Sequence, residues 1–407
     1  MAKIAPVFEG KAKICLGKNV FYNPHMRFNR DISSLAVGAI GKIEEVFGDK
    51  SENEGRKSGG KKGAAGKKSA RRIALRNLEV LDAFCATGIR GSRYKTENEN
   101  VGKVTFLDAN KGIRKLIGKN IKVNKIAGAK VVISDFSKYT YENSFDFVEV
   151  DPFGSPSPFI YDAIRSFKFK KSGVLSVTAT DTAVLCGARH DACIKNYNSI
   201  PLNNEFCHEN AIRILLSFIA RNASQFNFGI APLVCFSKRH YVKCIVRLEF
   251  GADKAVESAK NANHFVQYCH KCLERKIVRI NGIEKKCPEC GNELQAAGPL
   301  WAGKTLDRDF VKKMIGLNAK RKLEGFGEIA KFLVVLESEA DMPAFYYDLH
   351  RMFKVKGLAS VPNERVVASL QHAGFTATLT HFSPTAIKTG APAVEVEKAI
   401  KKANAPT

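Results

Sequence analysis

Four short apolar runs, each closed by an aspartate, do most to limit what this chain can fold into. They span residues 77–82, 101–108, 131–135 and 145–151, and end in Asp82, Asp108, Asp135 and Asp151. Runs this short, rich in Val, Leu and Phe, suit strands covered on both faces. A helical pattern over 111–124 separates the second run from the third. After the fourth come a helix near 158–167, a strand at 173–179 and a long helix at 205–223. Two β-rich runs, 228–236 and 241–250, joined by "SKRH", read as a hairpin. Such alternation predicts an α/β fold: a Rossmann-like, mostly parallel sheet with a C-terminal antiparallel hairpin at its edge. Ligands of such sheets bind outside the carboxyl ends of the strands. All four aspartates are expected there.

At 407 residues the chain is long enough for two domains. The first spans 1–252 and carries a flexible basic insertion at 49–72. The second, 253–407, has a different character and reads as α+β. It holds paired cysteines within 264–295, helices over 307–338, and a mixed helix–helix–strand stretch over 344–382 reminiscent of a winged helix. A short closing helix is expected near 394–403.

The net charge of +25 points to a polyanionic partner, because each neutralised phosphate releases counterions. Residues 56–72, "RKSGGKKGAAGKKSARR", carry eight basic residues and no acid. That composition cannot bury a core; it serves a polyanion-binding loop or a tolerated surface insertion equally well. No run of eighteen apolar residues occurs, so no membrane span is expected. The opening stretch has no apolar core of signal-peptide length. Seven of the eleven cysteines stand singly in apolar contexts, which fits a reducing cytoplasm.

The fourth aspartate opens Asp151-Pro152-Phe153-Gly154-Ser155-Pro156. Asp, Pro and Gly are turn formers, so a plain turn is one reading. The stretch also sets a carboxylate beside an aromatic face on a proline-fixed backbone. A planar nucleobase amine needs both, since its lone pair is delocalised into the ring. Asp151 can accept its N–H and take the proton as a methyl group arrives, while alignment of the reacting atoms supplies most of the rate. Hydride transfer has no use for that pairing, so Asp151 and Phe153 favour amine methylation. After the first run comes "LDAFCATGIRGSR", whose Gly88 and Gly91 let a cofactor approach the backbone or simply aid packing. Asp108, 17 residues after Gly91, sits where a carboxylate reads the ribose hydroxyls that NAD and S-adenosylmethionine share. Asp135 and Phe136 would flank the adenine, although Asp135 equally suits a helix N-cap.

The chain resembles the tRNA (guanine-26-N2) dimethyltransferase family. The resemblance runs through "FYNPHMRFNRD", "ATGIRG", "VDPFGSPSPFIYDAI", "VTATDTAVLCGA", "GPLWAG" and "THFSPTAIKTGAP", in that order and over nearly the whole chain. It implies a class I methyltransferase domain, S-adenosylmethionine as methyl donor, and a guanosine between the D arm and anticodon stem as target. Two successive transfers are implied, and a C-terminal domain that binds tRNA. Carried over by position, Arg30 and Arg90 meet the carboxylate side of the donor, Asp108 its ribose, and Asp135 with Phe136 its adenine. Asp151 becomes the catalytic acid/base, with Phe21 and Phe153 around the flipped guanine. The segment 56–72 is not part of the family's common pattern. Cys85 of "DAFCATG" stands where a small polar residue would serve as well, and no redox or nucleophilic role is expected of it, since amine methylation needs no covalent intermediate. The expected partner is tRNA, with no membrane and no obligate protein partner.

Cys269, Cys272, Cys287 and Cys290 form two CxxC knuckles fourteen residues apart, the spacing of a four-thiolate zinc ribbon. A closed thiolate set leaves no position for water, so the zinc is expected to be structural; His264 and His270 are spare donors. Two other readings compete with the first: methylation of another nucleic-acid amine such as adenine N6, and a non-catalytic zinc-ribbon RNA-binding protein.

Overall fold

The structure, a computed structural model, describes residues 6–17, 20–40 and 77–404. The insertion at 49–72, with its basic segment, lies outside the described residues. The chain opens with a small hairpin, β1 (Val7–Glu9) and β2 (Ala12–Ile14), followed by α1 (Arg27–Ile40). Alternating elements then follow: β3 (Leu78–Ala83), α2 (Ile89–Glu97), β4 (Val101–Asp108), α3 (Arg114–Val123), β5 (Ala129–Ile133), α4 (Phe136–Glu142), β6 (Phe147–Val150), α5 (Ser157–Arg165) and β7 (Ser172–Ala179). Two short helices absent from the sequence reading, α6 (Thr182–Leu185) and α7 (His190–Tyr197), precede α8 (Cys207–Ser224). The strands β8 (Phe228–Lys238) and β9 (Tyr241–Phe250) complete the sheet.

The seven strands run in the order β5-β4-β3-β6-β7-β9-β8. All pairings among β3 to β7 are parallel, and β9 lies antiparallel between β7 and β8. The expected antiparallel edge is therefore one strand further in: β9 is the inverted strand, and β8 forms the edge. The order reverses between β3 and β6, so the crossovers diverge there and leave a crevice at the carboxyl ends.

The two faces of this sheet are built differently. One carries Leu81, Val148, Val150, Leu175, Val177 and Val246 against α5 and α8. The other packs Val80, Val104, Phe147 and Ile245 against α1 and α2, and it also buries Asp82, Glu149, Thr178 and Lys243. Helices α10 (Arg308–Arg321) and α11 (Phe326–Glu339) join α1 in that second core through Phe310, Met314 and Leu333.

Before α10, α9 (Ala252–Asn261) leads into a three-stranded antiparallel sheet of β10 (His264–Tyr268), β11 (Arg275–Val278) and β12 (Gln295–Leu300), in the order β11-β10-β12. Beyond α11 come β13 (Tyr347–Asp348), α12 (Leu349–Lys356), α13 (Asn363–His372), β14 (Ala377–Leu379), β15 (Ala386–Thr389) and α14 (Ala393–Ala403). Their strands pair in the order β13-β15-β14 and share a core with β10 and β12.

Candidate active site

The crevice between β3 and β6 opens into a cavity of about 430 Å³. Its wall after β3 is the turn from Phe84 to Gly88. Phe84 and Ala86 adopt left-handed backbones (φ 59° and 46°), a strained conformation that non-glycine residues keep when the surroundings demand it. Gly88 continues the turn at φ 73°, and a Cβ on Gly91 would lie 2.6 Å from the Phe106 ring. The two glycines thus let the turn close and α2 pack tightly on β4.

Asp108 ends β4 at the cavity. Its carboxylate accepts from the backbone N–H of Ala86 (3.0 Å) and of Asn110 (3.0 Å), so both oxygens are oriented before any ligand arrives. Asp151 stands across the cavity beyond β6, with its side chain one-fifth exposed, and is ion-paired with the Arg90 Nη2. The following loop is fastened to the end of β7: Gly154 N–H donates to the Thr180 hydroxyl (2.9 Å), and Thr180 N–H donates to the Gly154 carbonyl (3.0 Å). Phe153 and Phe21 meet edge to face at the mouth, with centroids 4.7 Å apart. They are 79% and 55% exposed.

Arg30 also lines the cavity, but its guanidinium donates to both oxygens of Glu9 (2.6 and 2.5 Å) and to the Asn23 carbonyl (3.0 Å). Glu9 reaches it from the hairpin and binds Arg93 as well (2.8 Å). Burial works against the Glu9 carboxylate, yet the two guanidiniums outweigh it and hold its pKa at about 2. Asp82, beneath the cavity, is the opposite case: burial pushes it up to about 7 despite Arg90 and the Gly91 N–H.

The cavity brings together Phe21, Arg30, Arg90, Asp108, Asp151 and Phe153. Asp135 and Phe136 stand apart from its lining. Asp135 caps α4 by accepting from Lys138 N–H (3.0 Å), and Phe136 is buried behind Phe84, with ring centroids 5.4 Å apart. Phe84 is the ring that faces the cavity, a residue the sequence reading passed over. No histidine is among its lining residues.

The C-terminal thiols converge as the spacing predicts. Cys269 and Cys290 lie 3.4 Å apart, Cys272 and Cys287 3.5 Å, and all four sulfurs fall within 4.8 Å of one another. Those separations suit a tetrahedron with Zn–S bonds of about 2.3 Å. His264 and His270 stay outside the cluster, and His270 pairs instead with Gln295. Four soft donors with no fifth group among them fit a structural zinc.

A doubly wound sheet with one inverted strand, carrying acidic residues around a cavity at its switch point, defines a Rossmann-like methyltransferase domain, joined here to an α+β region with a zinc-ribbon site. Residues 3–401 match the family described as N2,N2-dimethylguanosine tRNA methyltransferase. The chain is 33% identical over 393 residues to a tRNA (guanine(26)-N(2))-dimethyltransferase of Methanobrevibacter smithii, covering 96% of this chain and 93% of that one. It is 36% identical over 385 residues to the Methanosarcina mazei enzyme of the same name (94% and 91% covered). Among solved structures, Trm1 from Pyrococcus horikoshii, in complex with S-adenosyl-L-methionine, superposes with a TM-score of 0.80 at 31% identity over 97% of this chain and 99% of that one. The chain belongs to the N2,N2-dimethylguanosine tRNA methyltransferase family.

Proposed function

We propose that the chain transfers methyl groups from S-adenosylmethionine to the exocyclic N2 amine of guanosine 26 in tRNA, giving N2-methyl- and N2,N2-dimethylguanosine. Family membership over the whole chain supports the reaction. The observation that supports the residue roles is Asp151, a carboxylate fixed by Arg90 directly beside two exposed, mutually perpendicular aromatic rings.

In this reading Phe21 and Phe153 receive the flipped guanine, one by stacking and one by its edge. Asp151 accepts an N–H of the amine, helps it pyramidalise, and takes the proton. Arg90 keeps that carboxylate aimed. The donor, when bound, supplies the electrophilic methyl group. In this reading Asp108 holds the ribose hydroxyls, and Arg30 and Arg90 face the amino-acid end. Phe84, backed by Phe136 with Asp135 at the neighbouring helix start, closes the adenine end. The basic balance of the chain suits a tRNA partner. None of the eleven cysteines is in a disulfide, which suits a reducing cytoplasm. No helix among the described residues is long and apolar enough to cross a membrane.

Incubation with labelled S-adenosylmethionine and unmodified tRNA transcripts, followed by nucleoside analysis, tests the reading. Labelled N2,N2-dimethylguanosine from position 26 is expected, and labelled N6-methyladenosine would sink it. Asp151→Ala is expected to abolish transfer while donor binding persists. Normal turnover in that variant would remove Asp151 from its role.

A further inference from the structure

Two fully buried charges lie behind the cavity and take no part in lining it. Glu149 on β6 and Lys243 on β9 are each completely shielded from solvent, and their Oε1 and Nζ are 2.5 Å apart. Lys243 reaches Glu149 across β7, where its ammonium also donates to the Thr178 hydroxyl (3.0 Å). Tyr94 from α2 donates to the other Glu149 oxygen (2.7 Å). On its open side Glu149 faces Arg90, whose Nη1 lies 3.6 Å away and whose Nη2 pairs with Asp151. Arg90 is steadied from α1 by Asn29 (2.9 Å) and Ser33 (3.1 Å). The charges therefore alternate along a line from β9 to the cavity: Lys243, Glu149, Arg90, Asp151.

Sheet stability does not call for this arrangement, since a buried ion pair is commonly replaced by apolar residues without loss. What the line does determine is how Arg90 divides its charge. Glu149 and Asp151 compete for one guanidinium. Lys243 neutralises the first competitor and leaves Arg90 to the second.

We propose that Lys243 and Glu149 are positioning residues for methyl transfer, which act through Arg90 to hold the Asp151 carboxylate directed at the amine. The proposal rests on Asp151 as proton acceptor. The charged and titratable groups around Asp151 are Arg90 from α2, Asp82 from β3, Glu149 from β6, and Tyr241 and Lys243 from β9, with Tyr22, Arg30, Cys85 and Asp108 on the same cavity.

The test is the pH dependence of kcat in steady-state methylation. Lys243→Met leaves Glu149 to draw Arg90 away, so the acid limb moves to higher pH and kcat falls, with KM for tRNA unchanged. Glu149→Gln removes the competitor and moves the limb to lower pH. The double variant Glu149→Gln/Lys243→Met restores the net charge and returns the limb towards the parent. Opposite movements that cancel in the double variant are not produced by loosened packing. If both singles move the limb the same way, or neither moves it, the proposal is overturned. If Lys243→Met does not fold, Glu149→Gln and the double variant carry the test: a limb that stays put in Glu149→Gln overturns it. Asp82→Asn is expected to keep the limb; its disappearance there would assign the titration to Asp82 and overturn the proposal. Asp151→Ala separates the two levels. Turnover in that variant ends the underlying reading, whereas an inactive Asp151→Ala with unmoved limbs in the other variants ends only this inference.

Discussion

The charged face of the central sheet and the zinc ribbon both withdraw polar groups from water, and they do so in opposite ways. The ribbon draws its four thiols from residues 269–290, two tight knuckles whose turns close locally through Leu273 N–H to Cys269 C=O and Gly291 N–H to Cys287 C=O. The sheet face assembles Glu9, Arg30, Arg90, Arg93, Glu149, Asp151 and Lys243 from the first hairpin to the last strand. A local constellation is set by near neighbours. A dispersed one exists only once the sheet has formed, so each change in it is felt by both the fold and the cavity.

The largest effect expected is on the local side. Structural zinc contributes about 10–16 kcal/mol to folding in zinc-finger peptides, so chelation is expected to unfold the ribbon. Donor binding at the cavity should survive, because no ribbon residue lines it. Calorimetric titration of the chelated protein with S-adenosylhomocysteine checks this; loss of that binding would mean that the two regions are not separable.

Arg93→Met attacks the dispersed side. Arg93 is 1% exposed and serves Glu9, Asp31 and Glu97 at once. Removing one partner from a buried ionic cluster costs about 3–5 kcal/mol because the others stay charged and unpaired. Thermal unfolding should drop accordingly while zinc content stays at the parent level. A stable Arg93→Met variant would show that the cluster is not an integrated unit.

A smaller, pH-dependent effect belongs to Glu9. Its folded pKa of about 2 lies below the usual 4.5, so its contribution is complete above about 4.5 and disappears as pH falls towards 2. At 1.36 kcal/mol per unit this amounts to about 3 kcal/mol. Urea midpoints near neutrality and at about pH 3 should therefore converge between the parent and Glu9→Gln. Parallel losses in the two proteins would contradict the ion-pair account.

The same contrast explains what was legible in the sequence. Cys269, Cys272, Cys287 and Cys290 announce themselves by spacing because their ligand geometry is set by near neighbours. Asp108 and Asp151 were visible for a related reason, being fixed by position at strand ends. Asp135 was visible too, and it caps α4 as its residue type equally allowed. Glu9, Glu149 and Lys243 were passed over, since a contact across 94 positions leaves no periodicity. One signal was available. "FVEV" and "YVKCIV" each place a charge inside a strand covered on both faces, and such a charge must find its opposite nearby.

Phe153 offers the finest division between fold and function. At 79% exposure it contributes little to the core, so Phe153→Leu should leave thermal stability unchanged. Base–aromatic stacking is worth about 1–3 kcal/mol, so the KM for tRNA should rise about fivefold to 150-fold with donor affinity unaltered. Phe21→Leu should behave alike. Because the rings touch at 4.7 Å, the double variant should lose less than the sum of the singles. Strict additivity would mean that the two rings hold different parts of the RNA rather than one guanine lying against both.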